Sequence, residues 1–373
     1  MHPDIIEFFD HLRMDESIEC EPTTSAYNSV EDYKAYWKIF REKVASSISK
    51  MHNGHYVAAT HNDHICKTTA LLTTLPWILG VTLDRWRNSL NIELEKRLGE
   101  RMVHKLRTIH LLEADFNMGT KSLLGKRVIN NAIKQNKIPP EQYATKGRKG
   151  IDAVLVKRLF YDLLRIAHIA GALIANDARG FFDRMALPIS SLCLRRMGAP
   201  KSVLQTLYSK ISRMRHYVRT GHGESTSFYT NPGNEYLQGG GHGNGSGPPT
   251  WICISIVLIG IINAFPANAA FSSAISGIAI TLCAIMYFDD TDLIITGEHH
   301  NDYIAVGKKA QALAGKWCSS LRITGGALRP EKCWWYLISF RWLPDGSCRY
   351  STVEETPSNL SIPDHNLEVS EIK

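Results

Sequence analysis

The sequence predicts an α+β fold, and two groups of residues carry this prediction. A short apolar run at 172–176 has the length of a buried strand and leads directly into Asp177. Two further runs, 278–288 and 293–296, are rich in Ile, Leu, Thr and aromatic residues and flank Asp289 and Asp290. We interpret these two runs as antiparallel strands joined by an acidic turn. Most other apolar residues have helical spacing.

The composition is globular, but the charge is unevenly distributed. Of 373 residues, 44% are hydrophobic and 21% are charged, which excludes a disordered tail, a collagen-like repeat and a coiled coil. Residues 85–220 hold 27 Lys and Arg against 10 Asp and Glu, and the rest of the chain holds 16 against 26. The basic stretch fits a polyanion such as nucleic acid, or simply a solvated basic surface.

The thiols and the N-terminus predict an intracellular protein. The eight cysteines are scattered and form no C-x-x-C pair, so neither a disulfide scaffold nor a zinc ribbon is expected. The first residues lack the basic and apolar regions of a signal peptide. One histidine-rich cluster does not have the spacing of a zinc finger, so we interpret it as helix-surface or loop residues; it comprises His52, His55, His61, His64 and Cys66.

The N-terminal half is predicted to be largely helical. Aromatic residues at 33, 36, 37 and 40 have helical spacing, and an apolar segment at 66–80 ends at Gly80. Residues 85–170 are predicted to form several basic amphipathic helices, which Gly and Pro residues separate. After the strand at 172–176, residues 190–219 are again predicted to be basic and helical.

The second half contains a long stretch without Asp, Glu, Lys or Arg, from Tyr236 to Phe288. It opens with a glycine-rich loop at 238–248, and two prolines then favour a helix that starts near Pro249. Trp251–Ala267 and Ala269–Phe288 each approach the length of a membrane span. Polar residues and a proline interrupt the middle of this stretch, so we favour a buried helix, a turn and a strand. The last 30 residues are polar and show no clear core pattern.

The acids at the ends of the predicted strands suggest a metal site. Burying carboxylates next to a core is costly unless a cation neutralises them. Asp177, Asp289 and Asp290 would offer the oxygen ligands that Mg²⁺ prefers. A pair of such ions can activate a hydroxyl group and stabilise a leaving pyrophosphate. The alternative is that these acids only cap turns, where Asp is common.

An ordered set of motifs resembles the reverse transcriptases of retroelements. Residues 177–183 match D-x-x-x-x-[FY]-D, residues 242–248 resemble Q-G-x-x-x-[SAG]-P, and residues 287–290 form a Y-x-D-D box. Residues 325–340 resemble the two motifs that follow in that family, and residues 106–112 resemble its R-P-I-x-L-L segment. The resemblance covers about 85–342, and it is less distinct over 44–84, where algal and diatom retroelement polymerases are similar.

This resemblance implies a right-hand polymerase, with an α+β palm and mostly helical fingers that alternate along the sequence. The implied organisation runs from an N-terminal helical extension to the start of a thumb or a truncated tail. Its boundaries are 1–84 for the extension, 85–170 and 190–236 for the fingers, 171–189 and 237–342 for the palm, and 343–373 for the tail.

The resemblance also implies roles for individual residues. Asp177, Asp289 and Asp290 would hold two Mg²⁺ ions, or Mn²⁺, and Lys332 would protonate the leaving pyrophosphate. At the nucleotide, Arg107 would grip the triphosphate through its paired N–H donors. Phe182 would act as a steric gate against the 2′-hydroxyl of the ribose. His242 would contact the nucleotide at the position where the family usually has Gln, and Gln238 is the alternative for this role.

The remaining implied contacts are with the template and the primer. Lys146, Arg148 and Lys149 would hold template phosphates without reading sequence. The glycines of the glycine-rich loop, Gly243 and Gly245 among them, would let the backbone approach the template–primer base pair. Leu337 would lie against the primer end.

The implied partners are an RNA template, a DNA or RNA primer and deoxynucleotides, with no membrane. The implied location is the nucleus or a cytoplasmic ribonucleoprotein. Three other functions stay open from the sequence: a non-catalytic nucleic-acid-binding remnant of this fold, a membrane protein and a viral RNA-copying polymerase. The sequence leaves the oligomeric state open.

Overall fold

The computed structural model describes residues 2–13, 23–40, 47–179, 181–230, 239–241, 243–272 and 275–373. They form a mixed α/β protein with mainly antiparallel sheets, compatible with the predicted α+β class. The chain forms two compact units: unit 1 comprises Met1–Arg13, Ile138–Arg184 and Ile254–Lys373, and unit 2 comprises Met14–Lys137 and Met185–Cys253. The predicted boundaries of fingers and palm stay predictions, because units defined by packing need not coincide with polymerase subdomains.

The helices lie throughout the chain. They are α1 (Pro3–Leu12), α2 (Val30–Trp37), α3 (Asn53–Ala59), α4 (Asp63–Leu79), α5 (Ala114–Thr120), α6 (Ile129–Lys134), α7 (Gly150–Ile166), α8 (Phe181–Arg184), α9 (Leu187–Arg196), α10 (Lys201–Ser212), α11 (Gly247–Ala264) and α12 (Tyr303–Ile323). A π-helical segment, Lys121–Val128, joins α5 to α6, and 3₁₀ turns cover Asp84–Arg87, Val103–Lys105 and Pro330–Lys332.

The strands form two main sheets and several ribbons. They are β1 (Asn88–Glu95), β2 (Leu106–Leu111), β3 (Gly171–Asn176), β4 (Arg215–Thr220), β5 (Gly223–Glu224), β6 (Ala269–Ser272), β7 (Ala279–Leu282), β8 (Ala284–Tyr287), β9 (Asp290–Thr296), β10 (Trp334–Ile338), β11 (Phe340–Trp342), β12 (Cys348–Tyr350), β13 (Ser361–Pro363) and β14 (Val369–Glu371).

Unit 1 is built on an antiparallel sheet with the strand order β10-β3-β9-β8. All six residues of β3 are buried, as expected for a central strand with both faces covered. One face packs against α7, whose Phe160 and Leu164 share a core cluster with Leu173 and Ile294 of the sheet. Helix α12 also packs on β3 and β9. The central strand of the sheet is therefore fully buried, and the chain emerges from it at Asp177.

Unit 2 contains the second sheet, with the order β2-β1-β4-β5, in which β1 and β4 are parallel. A buried ionic cluster stabilises this unit: Arg85 is ion-paired with Glu113 and Asp115, both of which are fully buried. Ser47 donates a hydrogen bond to Glu113 at 2.5 Å, and the indole of Trp86 donates one to Asp115 at 3.0 Å. These partners compensate the burial of the two carboxylates.

Several predicted elements are confirmed. The strand at 172–176 is β3, and the acidic turn joins two antiparallel strands, β8 and β9. The predicted strand at 278–288 is divided at Cys283, because β7 pairs with β6 whereas β8 pairs with β9. The helix predicted near Pro249 is α11, and Gly80 ends α4 in a left-handed conformation with φ +72°.

Three strands lie in segments that were predicted to be helical. β1 and β2 occupy part of 85–170, and β4 occupies the end of 190–219. The sequence of β1 does not show the apolar alternation of a strand, because β1 buries the polar residues Ser89 and Asn91. These two side chains are hydrogen-bonded to each other, and Ser89 also bonds to His110 and Asn91 to His216. The acidic C-terminal segment also contributes to the core, since Leu360, Ile362 and Ile372 are buried.

Helix α11 is apolar enough to cross a membrane by length and composition, the one such helix among the described residues. In the protein, 72% of its apolar window is buried. Core helices of globular proteins have the same property, so this helix is weak support for a membrane span.

Candidate active site

The acids Asp177, Asp289 and Asp290 lie at one end of the unit 1 sheet. Asn176 of β3 pairs with Thr291 of β9, so Asp177 directly follows the last registered pair of these strands. When that register is continued, Asp290 lies opposite Asp177, and opposed Cα atoms in antiparallel pairs are about 4.5–5.5 Å apart. Sheet pairing therefore brings acids from two distant parts of the sequence to the same edge.

A two-residue turn presents Asp289 between β8 and β9. Tyr287 pairs with Asp290, which leaves Phe288 and Asp289 as the loop residues. Phe288 has φ +54°, a left-handed conformation that costs a bulky residue about 1–3 kcal/mol. Both aspartates of the turn are exposed. The hairpin thus holds two adjacent carboxylates at the protein surface on a strained backbone.

Lys332 lies next to Asp177. Its Nζ is 3.7 Å from Oδ2 of Asp177, and the two side chains are 52% and 38% exposed. The backbone fixes this proximity, because the carbonyl of Asp177 accepts a hydrogen bond from Arg329 N at 3.0 Å and its N–H donates to Cys333 Sγ at 3.4 Å. Residues on both sides of Lys332 are therefore hydrogen-bonded to Asp177.

Two of the acids at this end of the sheet are ion-paired with lysines. Asp292 of β9 is ion-paired with Lys157 of α7, and burial raises the pKa of Asp292 despite that ammonium group. Asp290 is exposed but partly desolvated, and this partial burial raises its pKa; the neighbouring charge of Asp289 raises it further. The ion pairs Lys157–Asp292 and Lys332–Asp177 thus neutralise two of the four aspartates.

The donor chemistry fits a hard divalent cation, since all the candidate ligands are carboxylate oxygens. Among the described residues, however, no three His, Cys, Asp or Glu side chains are grouped closely enough to hold a metal ion. The backbone register thus brings the predicted ligands to one edge, whereas their arrangement around an ion stays a prediction. The histidine cluster at 52–66 forms no such group either, and its Cys66 is fully buried in a core cluster.

Phe182 lies on the short helix α8, five residues after Asp177, and its side chain is partly buried. The same helix is connected to the segment before Lys332, because Arg184 Nε donates a hydrogen bond to the carbonyl of Gly325 at 3.3 Å. Gly180 lies outside the described residues. The role of Phe182 as a steric gate stays a prediction.

The basic loop 146–149 is fixed beside the acidic hairpin. Tyr143 N donates to the carbonyl of Met286 at 2.8 Å, and Met286 N donates to the carbonyl of Glu141 at 2.9 Å, so the start of the loop extends the edge of β8. At the other end of the loop, a Cβ on Gly150 would lie 3.7 Å from the ring of Tyr287. The loop is therefore hydrogen-bonded to β8 at its start and lies close to the ring of Tyr287 at its end.

The three basic residues of this loop differ in their surroundings. Lys146 and Lys149 are exposed. Nη1 of Arg148 instead donates to three backbone carbonyls, those of Pro139, Pro140 and Gln142, at 2.8, 3.2 and 2.6 Å. Arg148 thus closes the loop on itself, a structural role that the sequence did not suggest.

Leu337 lies on β10, where it pairs with Ala172 of β3. It is partly buried and lines an open cleft of about 570 Å³ together with Tyr336 and Tyr350. The cleft belongs to unit 1 and includes the C-terminal residues Ile372 and Lys373. A primer contact of Leu337 stays a prediction.

The other predicted contacts belong to unit 2. Arg107 is an exposed residue of β2, paired with Leu94, and it has no ion pair with any described residue. Gly243 has φ +99° and packs so closely on the backbone of His110 that no side chain would fit, and a Cβ on Gly245 would lie 2.7 Å from Thr120 Oγ1. These glycines therefore have a packing role within the protein. His242 and Gln238 lie outside the described residues.

Two contacts near the acidic edge were missed by the sequence analysis. Arg179, two residues after Asp177, shares a hydrogen bond of 2.6 Å with Nδ1 of His365 in the β13–β14 hairpin. Gln142 is fully buried and donates to Ser255 of α11 at 2.8 Å, next to Met286. Neither has a local sequence signal, because each partner is more than a hundred positions away.

Comparison with models of known protein families and with curated protein sequences finds no match to this chain.

Proposed function

We propose that this chain is an RNA-directed DNA polymerase of the reverse transcriptase type, with a palm-like unit 1. The observation that carries the proposal is the meeting of Asp177 with the Asp289–Asp290 turn at one sheet edge. The ordered motifs predicted this juxtaposition from the sequence. A two-metal nucleotidyl transfer needs several carboxylates close together, because they must hold two neighbouring ions.

In the proposed reaction, the 3′-oxygen of a primer attacks the α-phosphorus of a deoxynucleotide. A new P–O bond forms to the primer, the bond between the α-phosphorus and the bridging oxygen breaks, and pyrophosphate leaves. Magnesium, when bound, would lower the pKa of the attacking hydroxyl and neutralise the leaving group. Asp177, Asp289 and Asp290 would supply its oxygen ligands.

Lys332 has the chemistry of a proton donor to the leaving pyrophosphate, and its 3.7 Å distance from Asp177 supports this role. The loop with Lys146 and Lys149 would contact the template, because it is fixed beside β8 and its lysines are exposed. The basic stretch 85–220 agrees with nucleic-acid partners inside the cell.

The test is primer extension on poly(rA)/oligo(dT) with Mg²⁺ and, separately, with Mn²⁺. We expect wild-type extension and its loss, by a factor of about 10³ or more, in Asp177→Asn and Asp289→Asn. Asp345→Asn is the matched control, because Asp345 is an exposed acid of a distant turn in the same unit. Extension that survives in Asp289→Asn would defeat the proposed site.

A second candidate is a nucleic-acid-binding protein of this fold that does not catalyse synthesis. The observation in its favour is the lack of a grouped metal site among the described residues. This candidate predicts binding of RNA–DNA duplex that weakens steeply with salt, without any extension. A filter-binding assay at 50 and 200 mM salt, run with the extension assay on the same preparation, separates the two.

A further inference from the structure

The two edges of the unit 1 sheet are covered to different extents. At the β8 edge, the backbone of Met286 is hydrogen-bonded on its outer side to Glu141 and Tyr143. At the opposite edge, β10 is the outer strand and pairs with β3 on its inner side. An uncovered strand edge presents unpaired N–H and C=O groups, to which another extended chain can add.

The outer side of β10 is hydrogen-bonded at both of its ends. Trp335 N donates to the carbonyl of Lys373 at 2.8 Å, and Ser351 N donates to the carbonyl of Ser339 at 2.9 Å. Residues of an antiparallel strand alternate between those bonded to the neighbouring strand and those whose backbone groups point away from it. Because the N–H of Trp335 points away from β3, both backbone groups of Leu337, two residues further on, point away from β3 as well.

Leu337 therefore occupies an open gap in this edge. Within the part of the chain that the structure describes, neither its N–H nor its C=O has a hydrogen-bond partner. Four residue spacings separate Trp335 from Ser339, so the gap between the two existing bonds is about 13 Å long and fits about three or four residues of an extended chain.

The open cleft of about 570 Å³ that Leu337 lines runs along this gap. Four consecutive residues of β10, 335–338, contribute to its lining. Successive side chains of a strand point to opposite faces of the sheet, so a cleft that all four residues line follows the edge of the strand. We call this space the β10 cleft.

The walls of the β10 cleft are aromatic and carry little charge. Tyr161, Tyr336 and Tyr350 contribute rings with hydroxyl groups, and the last two residues are 56% and 57% exposed. The charged side chains among its described lining residues are Glu371 and Lys373, which have opposite signs. A nucleic-acid strand would need several cations for its phosphates. An uncharged extended peptide needs none, and its backbone matches the free groups of Leu337.

We propose that the β10 cleft binds an extended, uncharged segment of a partner protein, which adds to the sheet as a short strand beside Leu337. The N–H and C=O of Leu337 supply hydrogen bonds to the backbone of the segment, and the tyrosine rings favour apolar side chains at its alternate positions. This inference does not depend on the polymerase activity.

Linear heptapeptides displayed on phage and selected against the full chain provide the probe, and fluorescence anisotropy of a recovered peptide measures its dissociation constant. In Leu337→Pro we expect that constant to rise about tenfold or more, because proline removes the outward N–H. An edge strand tolerates proline where its N–H faces outward, so the circular dichroism spectrum should be unchanged. Leu337→Ala keeps the N–H and is the matched control, which should weaken binding less than Leu337→Pro does.

N-methylation of the recovered peptide tests the same hydrogen bonds without changing the protein. Only one edge of an added strand faces β10, so methyl groups on one set of alternate amides should raise the dissociation constant about tenfold, and those on the other set should change it little. A library that yields no binding peptide, or a peptide that tolerates methylation of both sets, would overturn the proposal. Binding of oligo(dT) that Leu337→Pro weakens, with no peptide recovered, would assign the cleft to a nucleic-acid strand instead.

Discussion

Lys332 and Asp177 form an ion pair of 3.7 Å between two segments that are also joined by backbone hydrogen bonds. The lysine is thereby held at the acidic edge of the sheet instead of moving freely on the surface. A cation bound by Asp177 would compete with this ammonium group, so in the proposed reaction the same pair would link proton donation to metal binding.

Replacing Lys332 should separate these two effects. In Lys332→Met we expect kcat for primer extension to fall about 10²-fold, because the leaving pyrophosphate loses its proton donor. The Mg²⁺ concentration for half-maximal rate should fall about two- to fivefold, because one competing positive charge is removed. A Mg²⁺ titration of the extension rate gives both numbers. A fall in kcat with a raised Mg²⁺ requirement would contradict this explanation.

Phe182 should control the choice of sugar. In Phe182→Ala we expect incorporation of ribonucleotides relative to deoxynucleotides to rise about 10- to 200-fold, since a ring that crowds the 2′-hydroxyl is removed. Competition between dGTP and GTP on a poly(rC) template measures this ratio. Phe182→Tyr, which keeps the ring, is the control. An unchanged ratio in Phe182→Ala would show that this ring does not select the sugar.

Arg148 and Lys146 should behave differently although they are neighbours in one basic loop. Arg148→Ala should lower the free energy of unfolding by about 1.5–3 kcal/mol, because three carbonyls lose a charged donor. Lys146→Ala should leave stability unchanged and reduce the slope of log binding constant against log salt by about 0.7–0.9. Urea unfolding and salt-dependent binding to RNA–DNA duplex distinguish the two. A reduced slope with Arg148→Ala at unchanged stability would contradict its structural role.

Lys210 should make the stability depend on pH. It is fully buried, 2.9 Å from Met214 Sδ and 4.8 Å from the ring of Phe116, and burial lowers its pKa to about 7. Between pH 7 and about 10.5, the unfolded chain holds a proton that the folded chain has released. This group alone therefore makes the free energy of unfolding rise with pH across that range and adds no slope below it.

The variant that tests this is Lys210→Met. It should be more stable than wild type at pH 6 by about 1–4 kcal/mol, because a buried charge is replaced by an apolar chain of similar length. The difference should shrink as the pH is raised to 9. Urea unfolding of both proteins at four pH values measures it, and the pairwise difference cancels the other groups that titrate. A constant difference across this range would mean that Lys210 is not buried as a titrating amine.

The central sheet and its acidic edge could be predicted because their signals are local. β3 is a short apolar run, and the hairpin from β8 to β9 is two apolar runs around a turn. Their pairing with each other could not be derived from periodicity and was expected only from the resemblance to a family. The pairing of Asn176 with Thr291 is a contact between segments that are far apart in the sequence, and local patterns carry no information about such contacts.

Other parts could not be predicted because polar groups are buried in them. In β1, the fully buried Ser89 and Asn91 interrupt the apolar alternation by which strands are recognised, and their partners lie on β2 and β4. The role of Arg148 was hidden for a related reason. In a basic loop, the sequence does not distinguish an arginine that binds carbonyls of its own loop from one that binds phosphate.

The pairing of β3 with strands that follow much later in the chain has a consequence for synthesis on the ribosome. β3 is complete at Asn176, but its partner β9 begins only at Asp290. At about 5–20 residues per second, the nascent strand waits on the order of 10 s before that partner is made. During this interval a largely apolar strand has unpaired edges, so this segment is where we expect chaperones to bind the emerging chain and where aggregation would begin without them.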